Sequence, residues 1–144
     1  MAKRLVILGA GESGCGTAVL GMAKGFETFV SDRGMIKPTH TKELQSLGVE
    51  WESEKHTEDK ILNADIIVKS PGIPDKAPLV KKAVENGIPV VSEIEFASQF
   101  TKAKLIGITG TNGKTTTTLL THHILKGAGF NVGLGGNIGK SFAR

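Results

Sequence analysis

The run Gly110-Thr111-Asn112-Gly113-Lys114-Thr115-Thr116 holds, in order, the residue types that a bound triphosphate needs. Glycines let a loop close around a phosphate so that backbone N–H groups point inward. A lysine at the start of the following helix reaches the β- and γ-phosphates. The hydroxyl beside it, here Thr115, enters the coordination shell of Mg²⁺. An apolar stretch at 105–109 precedes the loop and a helix-forming run at 114–126 follows it, the strand–loop–helix context that gives such a motif meaning. The strict pattern asks for a glycine at the position of Ile108, so this is a variant loop in which Gly110 takes the turn. Gly110, Thr111, Asn112, Gly113, Lys114, Thr115 and Thr116 are therefore the expected ATP-binding residues. Lys114 and Thr115 take the catalytic roles, with Thr115 the metal ligand.

A second glycine loop, Gly9-Ala10-Gly11-Glu12-Ser13-Gly14, follows the apolar run 4–8 and opens a helix. It too offers free N–H groups at a helix start to a phosphate. Asp32 closes the next strand, where a dinucleotide enzyme keeps a carboxylate for a ribose hydroxyl. On these residues alone the loop fits three roles: a nucleotide of some kind, NAD(P), or a turn that only packs a helix on a sheet.

Both loops need a parallel sheet to carry them. Short β-rich runs at 4–8, 28–31, 49–51, 66–68, 89–91 and 104–109 alternate with helix-length segments at 14–24, 42–47, 59–63, 77–86, 94–100 and 114–126. Several strands are continuously apolar, as expected where helices cover both faces. Gly25, Gly48, Gly87 and Gly127 sit where helix ends need a left-handed residue. The expected fold is α/β, a Rossmann-like doubly wound parallel sheet over residues 1–102, joined by the polar linker 101–104 to the truncated start of a P-loop ATPase-type α/β domain over 103–144.

Composition narrows the function classes. The 144 residues are 39% hydrophobic and 22% charged, the balance of a soluble globular chain. No run approaches the roughly 20 apolar residues of a membrane span, and the first apolar run is too short for a signal peptide. The lone Cys15 builds no internal disulfide, and a cytoplasmic location is expected. A net charge of +4 invites nucleic acid, but the lysines are scattered and aromatics are 5% with no tyrosine, so a base-stacking platform is lacking. Small anionic ligands suit the charge better. The adjacent His122 and His123 point apart on a helix, and His40 and His56 read as solvent-facing, with no Cys or carboxylate at ligand spacing. Cys15 reads as a small packing residue and Trp51 as core or edge packing. Glu93 and Glu95 read as charges at a helix N-terminus.

Taken together, Thr109-Gly110-Thr111-Asn112-Gly113-Lys114-Thr115-Thr116, the first glycine turn, the Ser70-Pro71-Gly72-Ile73-Pro74 loop and the Gly135-Gly136-Asn137-Ile138-Gly139 run resemble the Mur ligases, the ATP-dependent amino-acid-adding enzymes of peptidoglycan synthesis, and within them the D-glutamate-adding branch. The resemblance covers the whole chain. It implies a first domain that holds the UDP portion of a sugar nucleotide rather than NAD. Glu12, Ser13, Asp32 and Arg33 would meet the uracil end, with Ser70, Gly72 and Asn137 along the ribose and diphosphate. One departure stands out: relatives often read Asp-Thr-Arg where this chain reads Asp32-Arg33-Gly34. The implied reaction adds D-glutamate to UDP-N-acetylmuramoyl-L-alanine through an acyl phosphate, with ATP and Mg²⁺ as cofactors, in a monomer that uses neither nucleic acid nor membrane insertion. Further metal ligands and the amino-acid site would lie beyond this chain, leaving it the UDP-binding portion and inactive alone. A sibling ligase adding another amino acid, an NAD-binding regulatory or redox module and a non-enzymatic nucleotide-binding domain are the competing readings.

Overall fold

The computed structural model describes residues 2–144. Its centre is β1 (Arg4–Leu8), an uninterrupted apolar strand buried on both faces. It pairs in parallel with β2 (Glu27–Ser31) on one side and β4 (Ile66–Lys69) on the other. The edges are β3 (Glu50–Glu52), parallel to β2, and β5 (Val90–Val91), parallel to β4, giving the order β3-β2-β1-β4-β5. The order reverses between β1 and β4, so the chain winds outward from that point in both directions.

Alternation along β1 divides the core in two. Leu5 and Ile7 join Cys15, Ala18, Val30, Leu44 and Phe96 under α1 (Glu12–Ala23), α2 (Pro38–Ser46) and α5 (Glu93–Ser98). Val6 and Leu8 join Phe29, Ile61, Ile67, Val80 and Ala83 under α3 (Glu58–Leu62) and α4 (Pro78–Glu85). Trp51 packs on the first of these cores, as its composition-based reading expects. Buried Cys15 packs there too.

The local signals operate as physics requires. Pro38 and Pro78 begin α2 and α4, where a missing N–H breaks no helical bond. In a capping box at α5, Glu95 N–H donates to Ser92 Oγ at 3.2 Å and Ser92 N–H donates to the Glu95 carboxylate at 3.5 Å, so Glu95 is the N-terminal charge the sequence suggests. Gly25, Gly48 and Gly87 close helices in the left-handed region as expected. Gly127 does not: it stays inside α6 (Lys114–Gly127), and Gly129 makes the left-handed turn.

The sixth expected strand is also corrected. Residues 104–109 form no ladder, and among the described residues no strand lies beside them. An apolar run becomes a strand only when a neighbour takes its N–H and C=O groups. Here Leu105 and Ile106 remain 47% and 59% exposed, and α6 buries none of its residues. The chain then returns to the helices α1, α2 and α5, burying Ser141 and Ala143.

Gly14 shows how tightly the first helix meets the loop before it. A Cβ there would lie 1.9 Å from the Gly9 carbonyl oxygen, a backbone atom that cannot swing aside, whereas a Cβ on Gly11 meets nothing within 4 Å. Gly14→Ala should therefore cost about 1–3 kcal/mol as an overpacked site, more than Gly11→Ala, which meets no clash and changes only the N-cap residue of α1. Urea denaturation of both variants gives the comparison, and equal midpoints would contradict it.

Candidate functional site

At the carboxyl ends of β1, β2 and β4, the chain leaves β1 for α1 on one face and β4 for α4 on the other. This divergence opens a crevice where the strand order reverses, the position at which open α/β sheets bind ligands. The resulting cavity holds about 510 Å³ and is lined by Gly9 and Gly11 from the first loop, Asp32 and Arg33 after β2, Ser70, Gly72, Ile73 and Pro74 after β4, the first turn of α4 and His56.

Two carboxylates shape it. Asp32 accepts the Ala10 N–H at 2.6 Å through Oδ2 and the Gly34 N–H at 2.8 Å through Oδ1, fastening the glycine loop to the turn after β2. Gly9 lies against Ser70: a Cβ on it would sit 2.3 Å from Ser70 Oγ. Below them Glu52 is buried yet fully partnered. It accepts Thr57 N–H at 2.8 Å, Thr57 Oγ1 at 2.6 Å and Ser31 Oγ at 2.7 Å. Burial alone would raise its pKa, but these hydrogen bonds outweigh burial and hold it below the ordinary 4.5. Ser31 Oγ also lies 2.7 Å from His56 Nδ1. Half-buried His56 has its pKa lowered, chiefly by burial, with the nearby Glu52 and Asp32 charges acting in the opposite direction. On the outer side, Lys69 donates to the Ile73 carbonyl at 2.9 Å and pairs with Asp75 at 3.0 Å, bracing the Ser70–Pro74 loop.

Of the residues the sequence suggests for the sugar nucleotide, Asp32, Arg33, Ser70 and Gly72 line this cavity together. Glu12, Ser13 and Asn137 are outside its lining. Glu12 instead meets the C-terminal residues, accepting Ser141 N–H at 3.1 Å and Arg144 Nε at 2.7 Å. Arg144 bridges from there to Glu43 at 2.6 Å, while Glu93, buried, accepts Ser141 Oγ at 2.6 Å and Ala143 N–H at 3.1 Å. Hydrogen bonds from Arg144 lower the pKa of both Glu12 and Glu43. Asn137 is exposed in the turn closed by the Gly136–Lys140 bridge.

The triphosphate loop stands apart, with Gly110, Thr111, Asn112, Gly113, Lys114, Thr115 and Thr116 all exposed. Gly110 and Gly113 take positive φ of 154° and 73°, and α6 starts at Lys114 without a side-chain cap. Its first-turn N–H groups thus lack helical partners. Lys114 Nζ donates to the carbonyl oxygens of Gly110 and Thr111 within its own loop. A cradle of free N–H groups with a lysine folded over it fits a phosphate chain, and the Thr115 hydroxyl adjoins it.

Two histidine readings change. His56 is not simply solvent-facing: parallel pairing of β2 with β3 carries it onto Ser31, a contact invisible in a charge-dense stretch. His40 stands within 4.8 Å of Cys15 and Glu43, joined by the packing of α1 on α2. The Arg144 guanidinium already pairs with Glu43 there. Burial first, then the Glu43 charge, pushes the Cys15 thiol up to about 11, so it is no nucleophile at neutral pH.

Comparison with known proteins places this geometry. The family model described as Mur ligase MurD-like, N-terminal domain, matches residues 3–92, and the chain belongs to that family. It is 58% identical over 144 residues, all of this chain, to the UDP-N-acetylmuramoylalanine–D-glutamate ligase of Christiangramia forsetii. It is 62% identical over 141 residues, 98% of this chain, to the protein of the same name in Bacteroides thetaiotaomicron. It spans about a third of those relatives, 32% of each. Among solved structures, the UDP-N-acetylmuramate:L-alanyl-gamma-D-glutamyl-meso-diaminopimelate ligase from Neisseria meningitides superposes with a TM-score of 0.64 at 25% identity, covering 98% of this chain and 46% of that one. Among the described residues no helix is long and apolar enough to cross a membrane.

The C-terminal contacts differ in strength. Exposed ion pairs contribute at most about 1 kcal/mol, whereas hydrogen bonds to a buried charged group contribute about 1.5–3 kcal/mol. Glu93→Ala should therefore expose the Ala143 amide to fast hydrogen exchange, and Arg144→Ala should weaken its protection only several-fold. Protection through Glu12 and Glu43 should be complete above about pH 4.5 and fade below it, because both folded-state pKa values lie lower than that. Exchange followed by mass spectrometry checks both, and equal protection in the two variants would count against this ranking.

Proposed function

We propose that this chain is the sugar-nucleotide-binding portion of an ATP-dependent ligase that joins D-glutamate to UDP-N-acetylmuramoyl-L-alanine. The observation that carries the reading is the cavity at the β1/β4 reversal, where Asp32 and Arg33 from the loop after β2 converge with Ser70 and Gly72 from the loop after β4. Its mix of apolar wall, loop glycines and one cationic side chain suits a uridine diphosphate: a flat base, a ribose and two phosphates. The relatives named for D-glutamate addition support the choice of amino acid. Residues 1–102 form the UDP-binding unit and 103–144 begin the ATP-binding one, in a cytoplasmic and monomeric enzyme.

In the whole enzyme the substrate carboxylate attacks the γ-phosphorus of ATP, giving an acyl phosphate and ADP. The D-glutamate amine then displaces phosphate and loses a proton to leave the amide. Residues 110–116 bind and orient the triphosphate. Lys114 exchanges its two loop carbonyls for β- and γ-phosphate oxygens, trading neutral acceptors for charged ones. Thr115 supplies a hydroxyl to Mg²⁺, an ion that neutralises the charge on the phosphates when bound. This chain alone does not turn over.

Calorimetric titration of the 144-residue chain separates the readings. UDP-N-acetylmuramoyl-L-alanine should bind, and NAD should give no heat beyond dilution. Binding of NAD without the UDP-sugar would reject the ligase reading in favour of a dinucleotide module. Preference for UDP-N-acetylmuramate over its L-alanyl form would point to a sibling ligase.

A further inference from the structure

We infer that His56 is a base-reading residue of this cavity, presenting an unprotonated Nε2 that accepts the N3–H of uracil and so disfavours cytosine. The inference rests on the cavity holding a uridine nucleotide, and it concerns a residue that neither glycine loop nor the Ser-Pro-Gly loop contains.

The hydrogen bonds fix the imidazole's tautomer. Glu52 is an ionised carboxylate and only accepts. It lies 2.7 Å from Ser31 Oγ, so the one hydroxyl proton of Ser31 must point at Glu52. Turned the other way, the hydroxyl and carboxylate oxygens would face each other at that distance with no proton between them. Ser31 Oγ therefore meets His56 Nδ1, also at 2.7 Å, as an acceptor, and His56 Nδ1 carries the hydrogen. In a neutral imidazole the other nitrogen is then a bare acceptor. Burial favours that neutral form. Glu52 is locked in turn by Thr57, so the chain Thr57–Glu52–Ser31–His56 has one proton arrangement.

His56 lines the cavity beside Arg33 and Asp32. Uracil offers a donor at N3 between two carbonyl acceptors, whereas cytosine offers an acceptor at N3. A fixed acceptor on the wall pairs with the first and leaves the second facing lone pair to lone pair. The adjacent Arg33 guanidinium, a donor only, complements a uracil carbonyl. This arrangement gives a purpose to a buried carboxylate–hydroxyl–imidazole chain that the fold alone does not require.

Binding of UDP and CDP to the 144-residue chain, measured by calorimetry at about pH 7.5 and about pH 5, tests the assignment. The charged groups facing His56 are Glu52, Asp32 and Arg33. The β-phosphate also titrates near pH 6, but it is common to both ligands and cancels in their ratio. At the higher pH the wild type should prefer UDP by roughly tenfold, the value of one hydrogen bond made against one lost. Protonation places a hydrogen on Nε2, at a pH below the ordinary histidine range because burial lowers its pKa, and wherever it occurs the preference should shrink several-fold toward CDP. In His56→Phe, checked for an unchanged thermal midpoint, the preference should be lost, and any pH dependence left in the ratio belongs to protonation of cytosine N3 in the ligand. If UDP keeps its preference over CDP in His56→Phe, or in His56→Gln should the phenylalanine variant unfold, the inference is overturned while the uridine site stands. Should neither UDP nor its sugar derivative bind, the reading of the cavity fails and the inference falls with it.

Discussion

Asp32 ties the site to the sheet. Its two oxygens take N–H groups from the loop after β1 and from the turn after β2, so a single carboxylate at the end of one strand sets the path of its neighbour's loop. The first glycines can then rise against Ser70 with no side chain between them, and the crevice between the two halves of the sheet acquires a floor of backbone. A carboxylate has lone pairs beyond the two used here, so Asp32 can brace the loop and still accept a further hydrogen bond. Parallel pairing of β1 with both β2 and β4 brings Asp32, Gly9 and Ser70 into this relation, and every other feature of the cavity follows from it.

A second set of carboxylates works at a distance from that crevice. Glu12, Glu43 and Glu93 project from α1, α2 and α5 and together receive Ser141, Ala143 and Arg144. Gly16 belongs to the same junction, since a Cβ there would meet Ser141 Oγ at 2.1 Å. The segment that follows the exposed loop at 110–116 and α6 is thereby anchored to the helices over the first sheet, although α6 itself buries nothing. This explains why a first-turn glutamate in a glycine loop can serve the fold's own chain.

Much of the architecture was legible in the residues. Continuous apolar strands, proline-led helices and glycine stops required only local chemistry, and all five strands of the sheet lie within a residue of their expected positions. The strand at 104–109 failed because hydrophobicity names a candidate and pairing makes it a strand; nothing in Leu105 or Ile106 reveals whether a partner is present. The site divides along the same line. Asp32, Arg33, Ser70 and Gly72 sit beside glycine turns or strand ends and could be read from spacing. His56 could not, since its significance arises from Ser31, twenty-five residues away, and from the β2–β3 register that joins them. The partners of Glu12 lie further still in sequence, at Ser141 and Arg144.

The claim most in need of a direct test is that the crevice between β1 and β4, and not the exposed ATP loop, is where a uridine nucleotide settles on this chain. Two-dimensional ¹⁵N NMR of the labelled protein titrated with UDP addresses it residue by residue. Amide shifts are expected at Gly9, Gly11, Arg33, His56, Ser70 and Gly72, with residues 110–116 unmoved. Shifts confined to Gly110, Gly113, Lys114 and Thr115, with the crevice silent, would contradict it.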